Sequence, residues 1–143
     1  KGRGTPASEN WSGTGGITDL DDFSACQIVD KTEVRDLFAP NFYFGCEADD
    51  RMTALAFNRR QNPLGARLNT LFGSDVGHFD VTDMTQVLPE AYELVDDGLI
   101  TEEDFRDFMF TNPVQFWGEQ NPDFFKGTII EKEAAQALAR SSD

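Results

Sequence analysis

A short apolar run that ends in a glycine–serine–aspartate turn constrains the fold of this chain more than any other feature. Residues 68–72 (Leu-Asn-Thr-Leu-Phe) favour a short buried strand, and Gly73 and Gly77 mark the turn that follows. Asp75 stands in this turn, and His78, the single histidine of the chain, follows three residues later. Because ligand-binding groups of parallel α/β proteins gather where strands end, we predict that Asp75 is a metal ligand or a proton acceptor. The alternative is an aspartate that caps a following helix.

A second apolar run, residues 42–46 (Phe-Tyr-Phe-Gly-Cys), predicts another strand. Its aromatic and apolar residues are continuous rather than alternating, which is typical of a strand buried on both faces of a parallel sheet. Between the two strands the pattern predicts a helix from Asp50 to about Gln61 and a turn over residues 62–65. Strand, helix and strand at this spacing predict a right-handed βαβ unit with parallel strands. The fold class is therefore α/β.

Acidic side chains follow both predicted strands. Glu47, Asp49 and Asp50 come after the first strand, and Asp75 comes after the second. Because neighbouring parallel strands end at the same edge of a sheet, these carboxylates should lie in one crevice, where paired carboxylates can hold a divalent metal or transfer protons. Glu47 and Asp49 are the candidate substrate-binding residues, although Asp49 or Asp50 can instead cap the next helix. His78 is a candidate metal ligand, and a hydrogen-bonded structural histidine is the alternative.

The remainder of the chain is predicted to be mostly helical. The first predicted helix is capped by Asp80 or Thr82 and ends at Gly98, and Pro89 should kink it or begin a second segment. The next helix is capped by Thr101, with Asp104 at the third position after it. The later predicted elements are short helices opened by Asn112-Pro113 and Asn121-Pro122, an extended piece over residues 128–130, and a terminal helix over residues 132–140. Ser74 has no general base in register, which argues against a serine nucleophile. We find no phosphate-binding loop and no dinucleotide fingerprint.

Residues 93–104 resemble a calcium-binding loop. Gly98, Ile100 and the acidic Asp104 stand at the expected positions, but Val95 occupies the third position, where a calcium loop needs an oxygen ligand. This substitution favours a helix–turn–helix with a capped second helix over a calcium site.

Charge and composition exclude several classes of partner. The 143-residue chain has a formal net charge of −14 at pH 7, which argues against binding to nucleic acids or anionic membranes. No apolar run approaches 18 residues, and residues 1–6 do not resemble a signal peptide. Cys26 and Cys46 lack the spacing of a zinc site, and two reduced thiols in the cytoplasm are favoured over a single disulfide.

The segment from Leu71 to Asp75, with His78 following, resembles the last barrel strand of the amidohydrolase superfamily, in particular its amidohydrolase-related branch. Residues 105–118, which end in Thr-Asn-Pro-Val-Gln-Phe-Trp-Gly, resemble the closing helix pair of that family. The resemblance covers about residues 41–130. It implies a (β/α)8 barrel with a divalent metal, zinc being favoured, at the carboxyl ends of the strands. Asp75 matches the aspartate that binds this metal or accepts a proton from the attacking water.

The chain also departs from the family pattern, because it lacks the His-x-His pair of the first strand and the further histidines. A barrel of this class takes about 200 to 250 residues. We therefore expect the C-terminal portion of such an enzyme, with a flexible arm over residues 1–18, the barrel portion over 19–130 and a terminal helix and tail over 131–143. The intact enzyme would act on a small-molecule substrate.

Three expectations follow for the isolated chain. It should bind no metal tightly, it should be catalytically inactive, and it should pair with a missing barrel half or associate with itself. The alternative function is a non-enzymatic, acidic helical module for interaction or oligomerisation.

Overall fold

A computed structural model describes residues 27–141 of the chain. In chain order, the elements are helix α1 (Lys31–Phe38), strand β1 (Tyr43–Glu47), helix α2 (Thr53–Phe57), a 3-10 turn (Pro63–Gly65), strand β2 (Asn69–Gly73), helix α3 (Val87–Asp96), helix α4 (Glu102–Arg106), a π-helical turn (Asp107–Thr111), helix α5 (Asn112–Gly118) and helix α6 (Glu131–Ser141). The chain divides into two units, Lys1–Val34 and Arg35–Asp143. The arm predicted for residues 1–18 lies outside the described residues, as does Cys26.

The two predicted strands are present and run parallel. Tyr43 of β1 pairs with Asn69 of β2, and the register continues to Glu47 opposite Gly73. Because this pairing joins strands separated by a helical connection, the predicted strand–helix–strand order with parallel strands is confirmed, and its right-handedness stays a prediction. Both strands therefore end at one edge of the sheet, close to Asp75.

The prediction that β1 is buried on both faces is wrong for the described residues. Phe44 is 36% exposed and the neighbouring Phe42 is 50% exposed. The described sheet contains only two strands, so β1 has a single strand neighbour. Burial increases towards the end of the pair, where Cys46 and its register partner Phe72 pack against the core.

The core lies where the helices meet Cys46 and Phe72 of the two strands. Phe108 and Leu94 are almost completely buried and form one cluster with Phe57. The Phe72 ring meets the Phe108 ring edge-on, with 5.7 Å between the ring centroids. Such an edge-to-face pair adds about 0.5–1.5 kcal/mol beyond the burial of its area. The π-helical turn that carries Phe108 is thereby fixed against β2.

The helix between the strands is shorter than predicted. It was expected from Asp50 to about Gln61 and extends only over Thr53–Phe57. Asn58 ends it, because its side-chain oxygen accepts hydrogen bonds from the backbone N–H groups of Arg60 and Gln61 at 3.1 and 3.2 Å. A side chain that satisfies these donors competes with continued helix.

Pro89 stands in the first turn of α3, which begins at Val87, so the proline lies at the start of a helical segment rather than at a kink. Proline lacks a backbone N–H, but the N–H groups of a first helical turn have no acceptor within the helix, so no hydrogen bond is lost. Gly98 follows the helix with φ at +68°, as its predicted terminating role requires. The predicted cap of the next helix is confirmed, because Thr101 and Asp104 form a complete capping box at the start of α4.

The two asparagine–proline pairs do not start helices in the predicted way. Asn112 has helical backbone angles and continues from the π-helical turn, in which its N–H bonds the carbonyl of Asp107. Asn121 opens a turn rather than a helix, and its side chain accepts the N–H of Asp123 at 3.2 Å. Residues 128–130 form turns instead of the predicted extended piece, whereas the terminal helix is present as α6. None of the described helices has the length and apolarity needed to cross a bilayer.

Candidate functional site

Asp75 lies just beyond the carboxyl end of β2 in an uncommon backbone conformation. Its φ angle is +50°, in the left-handed region that aspartate tolerates better than most residues. The side chain is 20% exposed, and a carboxylate oxygen lies 2.8 Å from Nδ1 of His78. The backbone N–H of His78 also donates to the carbonyl of Asp75 at 3.1 Å. The turn therefore holds the imidazole beside the carboxylate.

The interpretation of Asp75 as a helix cap is wrong. Residues 74–86 contain no helix, and the next helix begins only at Val87. A cap must accept the N–H groups of a first helical turn, and Asp75 precedes none. Asp50, in contrast, accepts the N–H of Met52 at 2.8 Å and so supports the chain where it enters α2.

A crevice of about 170 Å³ lies beside Asp75, at the carboxyl ends of both strands. Glu47 and Asp49 line it from the end of β1, and Asp75 lines it from the end of β2. The parallel pairing thus brings together three of the four carboxylates that the sequence analysis singled out, whereas Asp50 does not line the crevice. The other lining residues are Ala48, Ser74, Asp80, Val81, Thr82, Asp83, Gln86, Val87 and Glu90.

The charge of this crevice is one-sided. Six of its lining residues are Asp or Glu, and none is Lys or Arg. A concave surface lined by one sign of charge concentrates ions of the opposite sign. The crevice is therefore electrostatically arranged for a cation. His78 does not line the crevice, and its side chain is 71% exposed next to Asp75.

Asp80 is a further candidate that sequence reasoning missed. Asp75, His78 and Asp80 each offer one ligand atom, and these three atoms all lie within 4.8 Å of one another. The sequence contains no signal for this proximity, because the three residues lie in a turn without helical or strand periodicity. Only the folded turn brings the fifth residue after Asp75 back towards it.

Two carboxylates and one imidazole fit a borderline divalent metal such as zinc. Three protein ligands are also the number found in catalytic zinc sites, where further positions stay open to water or substrate. Asp75 lies two residues beyond the end of a parallel strand, and the metal-binding role that the amidohydrolase resemblance implies for it stays a prediction. The family's additional histidine ligands have no counterpart in this sequence.

Other chemistries find less support among the described residues. Ser74 is occupied in the turn, since its hydroxyl accepts the N–H of Val76 at 3.4 Å. Burial raises the pKa of the Cys46 thiol, which opposes thiolate formation. In the calcium-like segment, the Asp104 carboxylate is already bound by Thr101 and Arg67. These contacts match the helix–turn–helix interpretation of residues 93–104.

Comparisons with models of protein families, with curated proteins and with solved structures found no match to this chain.

Proposed function

We propose that this chain supplies the C-terminal strands and helices of an amidohydrolase-like, metal-dependent hydrolase. One observation carries the proposal: two parallel strands end at a crevice in which Glu47, Asp49 and Asp75 converge. Active sites of (β/α)8 enzymes lie at this end of the strands. The resemblance of residues 71–78 to a final barrel strand gives Asp75 its role.

Asp75 is the central residue of the proposed mechanism. When bound, a divalent metal such as zinc would polarise the substrate and lower the pKa of a water molecule. Asp75 would hold that metal or accept the proton of the attacking water. The contact with His78 fixes the orientation of the carboxylate, because one of its oxygens lies 2.8 Å from Nδ1. Glu47 and Asp49 would face a small-molecule substrate across the crevice.

The remaining strands of the barrel must come from other residues. A barrel needs eight strands, and the described residues contain two. The intact site would therefore form with a missing barrel half, or through self-association of the chain. We place this assembly in the cytoplasm, where Cys46 would remain a thiol.

Native mass spectrometry of the protein isolated from its source tests the proposal. The expected result is an assembly, or a longer polypeptide, that contains this sequence together with a stoichiometric divalent metal. Asp75→Asn should then abolish hydrolysis, whereas Glu102→Gln, an exposed change on α4, should leave it unchanged. A metal-free assembly without hydrolytic activity would refute the proposal.

The second candidate is a non-enzymatic interaction module, and a row of aromatic rings favours it. The row contains, in order of contact, Tyr43, Phe116, Trp117 and Phe124, with 4.8–5.2 Å between neighbouring ring centroids. The first pair is tilted, the second meets edge-on and the third is stacked. Trp117 and Phe124 are nearly half exposed, and aromatic residues are enriched at protein interfaces. Under this function, Trp117→Ala weakens self-association while Asp75→Ala leaves it intact.

A further inference from the structure

We infer that Asp80 is a third metal ligand, and that the turn formed by residues 75–80 binds zinc as a site of its own. This inference deepens the proposed function, on which it rests for the role of Asp75. It adds a ligand that the family resemblance does not supply. It also replaces the expectation of a weak two-ligand site with that of a three-ligand site in the 143-residue chain.

The spacing of the donor atoms supports this assignment. Two ligands at about 2.0 Å from a tetrahedral zinc ion lie about 3.3 Å apart. Nδ1 of His78 and the nearer oxygen of Asp75 are 2.8 Å apart, so a metal between them requires a separation about half an ångström wider. The Asp80 carboxylate lies within 4.8 Å of both groups, so closing its distance to the metal takes a small side-chain movement.

The backbone of the turn explains why the three side chains meet. The N–H of His78 bonds the carbonyl of Asp75 at 3.1 Å, and the N–H of Val81 bonds the carbonyl of His78 at 3.3 Å. Gly77, between the donors, has φ at +111°, a conformation that side chains rarely permit. The arrangement of donors therefore depends on a glycine that contributes no ligand itself.

The imidazole gives this site a metal preference that differs from that of the acidic crevice around it. Six carboxylates attract any divalent cation, but oxygen ligands alone favour magnesium or calcium. An imidazole nitrogen shifts the preference towards zinc. Since His78 is 71% exposed and Asp80 is also exposed, water can occupy the coordination positions that the protein leaves open.

Titration of the 143-residue chain with Co²⁺, followed by visible absorption, tests this inference, with Zn²⁺ competition giving the zinc affinity. We expect one equivalent of Co²⁺ with the absorption of direct coordination, displaced by zinc and not by an equal concentration of Mg²⁺. Asp80→Asn and His78→Gln should each weaken zinc binding at least about tenfold. Gly77→Ala should also weaken it, although every ligand remains.

Glu90→Gln is the matched control, because it removes one negative charge from the same crevice without touching the three donors. It should change zinc affinity less than about twofold. Equal losses in Glu90→Gln and Asp80→Asn would show diffuse attraction by charge and overturn the inference. The inference would also be overturned if Asp80→Asn bound zinc with the affinity of the wild type. It would be overturned as well if the wild-type chain did not show the absorption of coordinated Co²⁺.

The outcome is independent of the test of the proposed function. Binding that needs Asp80 in a chain without any hydrolytic partner would support the metal site even if no hydrolase assembly exists. Conversely, a hydrolytic assembly that retains its metal and its activity in Asp80→Asn would support the hydrolase and refute Asp80 as a ligand. Far-ultraviolet circular dichroism of each variant verifies that the fold is unchanged.

Discussion

The side-chain amide of Asn112 donates a hydrogen bond to the backbone carbonyl of Thr70, with 2.9 Å between nitrogen and oxygen. Asn112 begins α5 and is 7% exposed, while Thr70 lies in the middle of β2. The bond therefore joins two elements that are 42 residues apart in the chain. It fixes α5 against the strand that leads to Asp75.

Removal of this bond should destabilise the protein measurably. Asn112→Ala leaves a buried strand carbonyl without its side-chain donor, which costs about 1–3 kcal/mol in the free energy of unfolding. Asn112→Asp should cost at least as much, because a carboxylate cannot donate and its charge would be buried. Urea denaturation measures both. Gln120→Ala, an exposed change just beyond the same helix, should cost less, and an equal cost would contradict a specific role for Asn112.

Removal of the Thr70 hydroxyl, in contrast to removal of the Asn112 amide, should not destabilise the protein. The hydroxyl oxygen is buried and has no hydrogen-bond partner among residues 27–141. Thr70→Val removes this unsatisfied polar atom and keeps the branched shape of the side chain. The free energy of unfolding should therefore stay the same or increase by up to about 1–2 kcal/mol.

Thr101→Val is the comparison for this substitution, because the Thr101 hydroxyl bonds both the backbone and the side chain of Asp104. The loss of this cap should destabilise by about 0.5–2 kcal/mol. The temperature of thermal unfolding should therefore stay the same or rise in Thr70→Val and fall in Thr101→Val. A larger loss in Thr70→Val than in Thr101→Val would contradict the assignment of the two hydroxyls.

Local sequence patterns predicted the parts of the fold that depend on neighbouring residues. The two strands were placed within one residue of their observed bounds, because apolar runs bounded by glycine and acidic turns leave few alternatives. The spacing of Thr101 and Asp104 likewise predicted the capping box that the structure contains. The convergence of Glu47, Asp49 and Asp75 then followed from parallel pairing alone.

The failures arose where distant contacts or irregular turns decide the structure. Asn112 carries the sequence signature of a helix cap, but its side chain instead bonds a carbonyl of β2. Asn58 ends α2 early through its side chain, against an apolar pattern that favours continued helix. Asp80 approaches Asp75 through a turn whose path depends on the backbone angles of Asp75 and Gly77, which no periodicity reveals.

The carboxyl group of Asp104 should make the stability of the protein depend on pH. Burial alone would raise the pKa of its carboxyl group, but hydrogen bonds from Thr101 and Arg67 outweigh burial and lower the pKa below the ordinary value of 3.8. A carboxyl group whose pKa is lower in the folded state stabilises the protein above its unfolded pKa. That contribution is lost as the pH falls through the folded pKa.

The free energy of unfolding should therefore decrease as the pH falls from about 4 towards 2. Asp104→Asn should show lower stability at pH 7 and a weaker dependence on pH in this range. Urea denaturation at a series of pH values measures both effects. Glu93→Gln, an exposed carboxylate on α3, should retain the wild-type slope. An unchanged slope in Asp104→Asn would contradict the role of this ion pair.

The isolated 143-residue chain should be catalytically silent, even with zinc added. In the proposed site, Asp75, His78 and Asp80 would supply three donors to a metal, but the described residues contain two strands, whereas the proposed barrel would surround its substrate with eight. Without those walls, water reaches the site freely and nothing orients an ester or amide for attack. Hydrolysis of a panel of activated esters and amides should therefore stay at the rate of the same zinc concentration without protein. Zinc-dependent turnover well above that rate, abolished by Asp75→Asn and retained in Glu102→Gln, would show instead that this part of the chain is sufficient for hydrolysis.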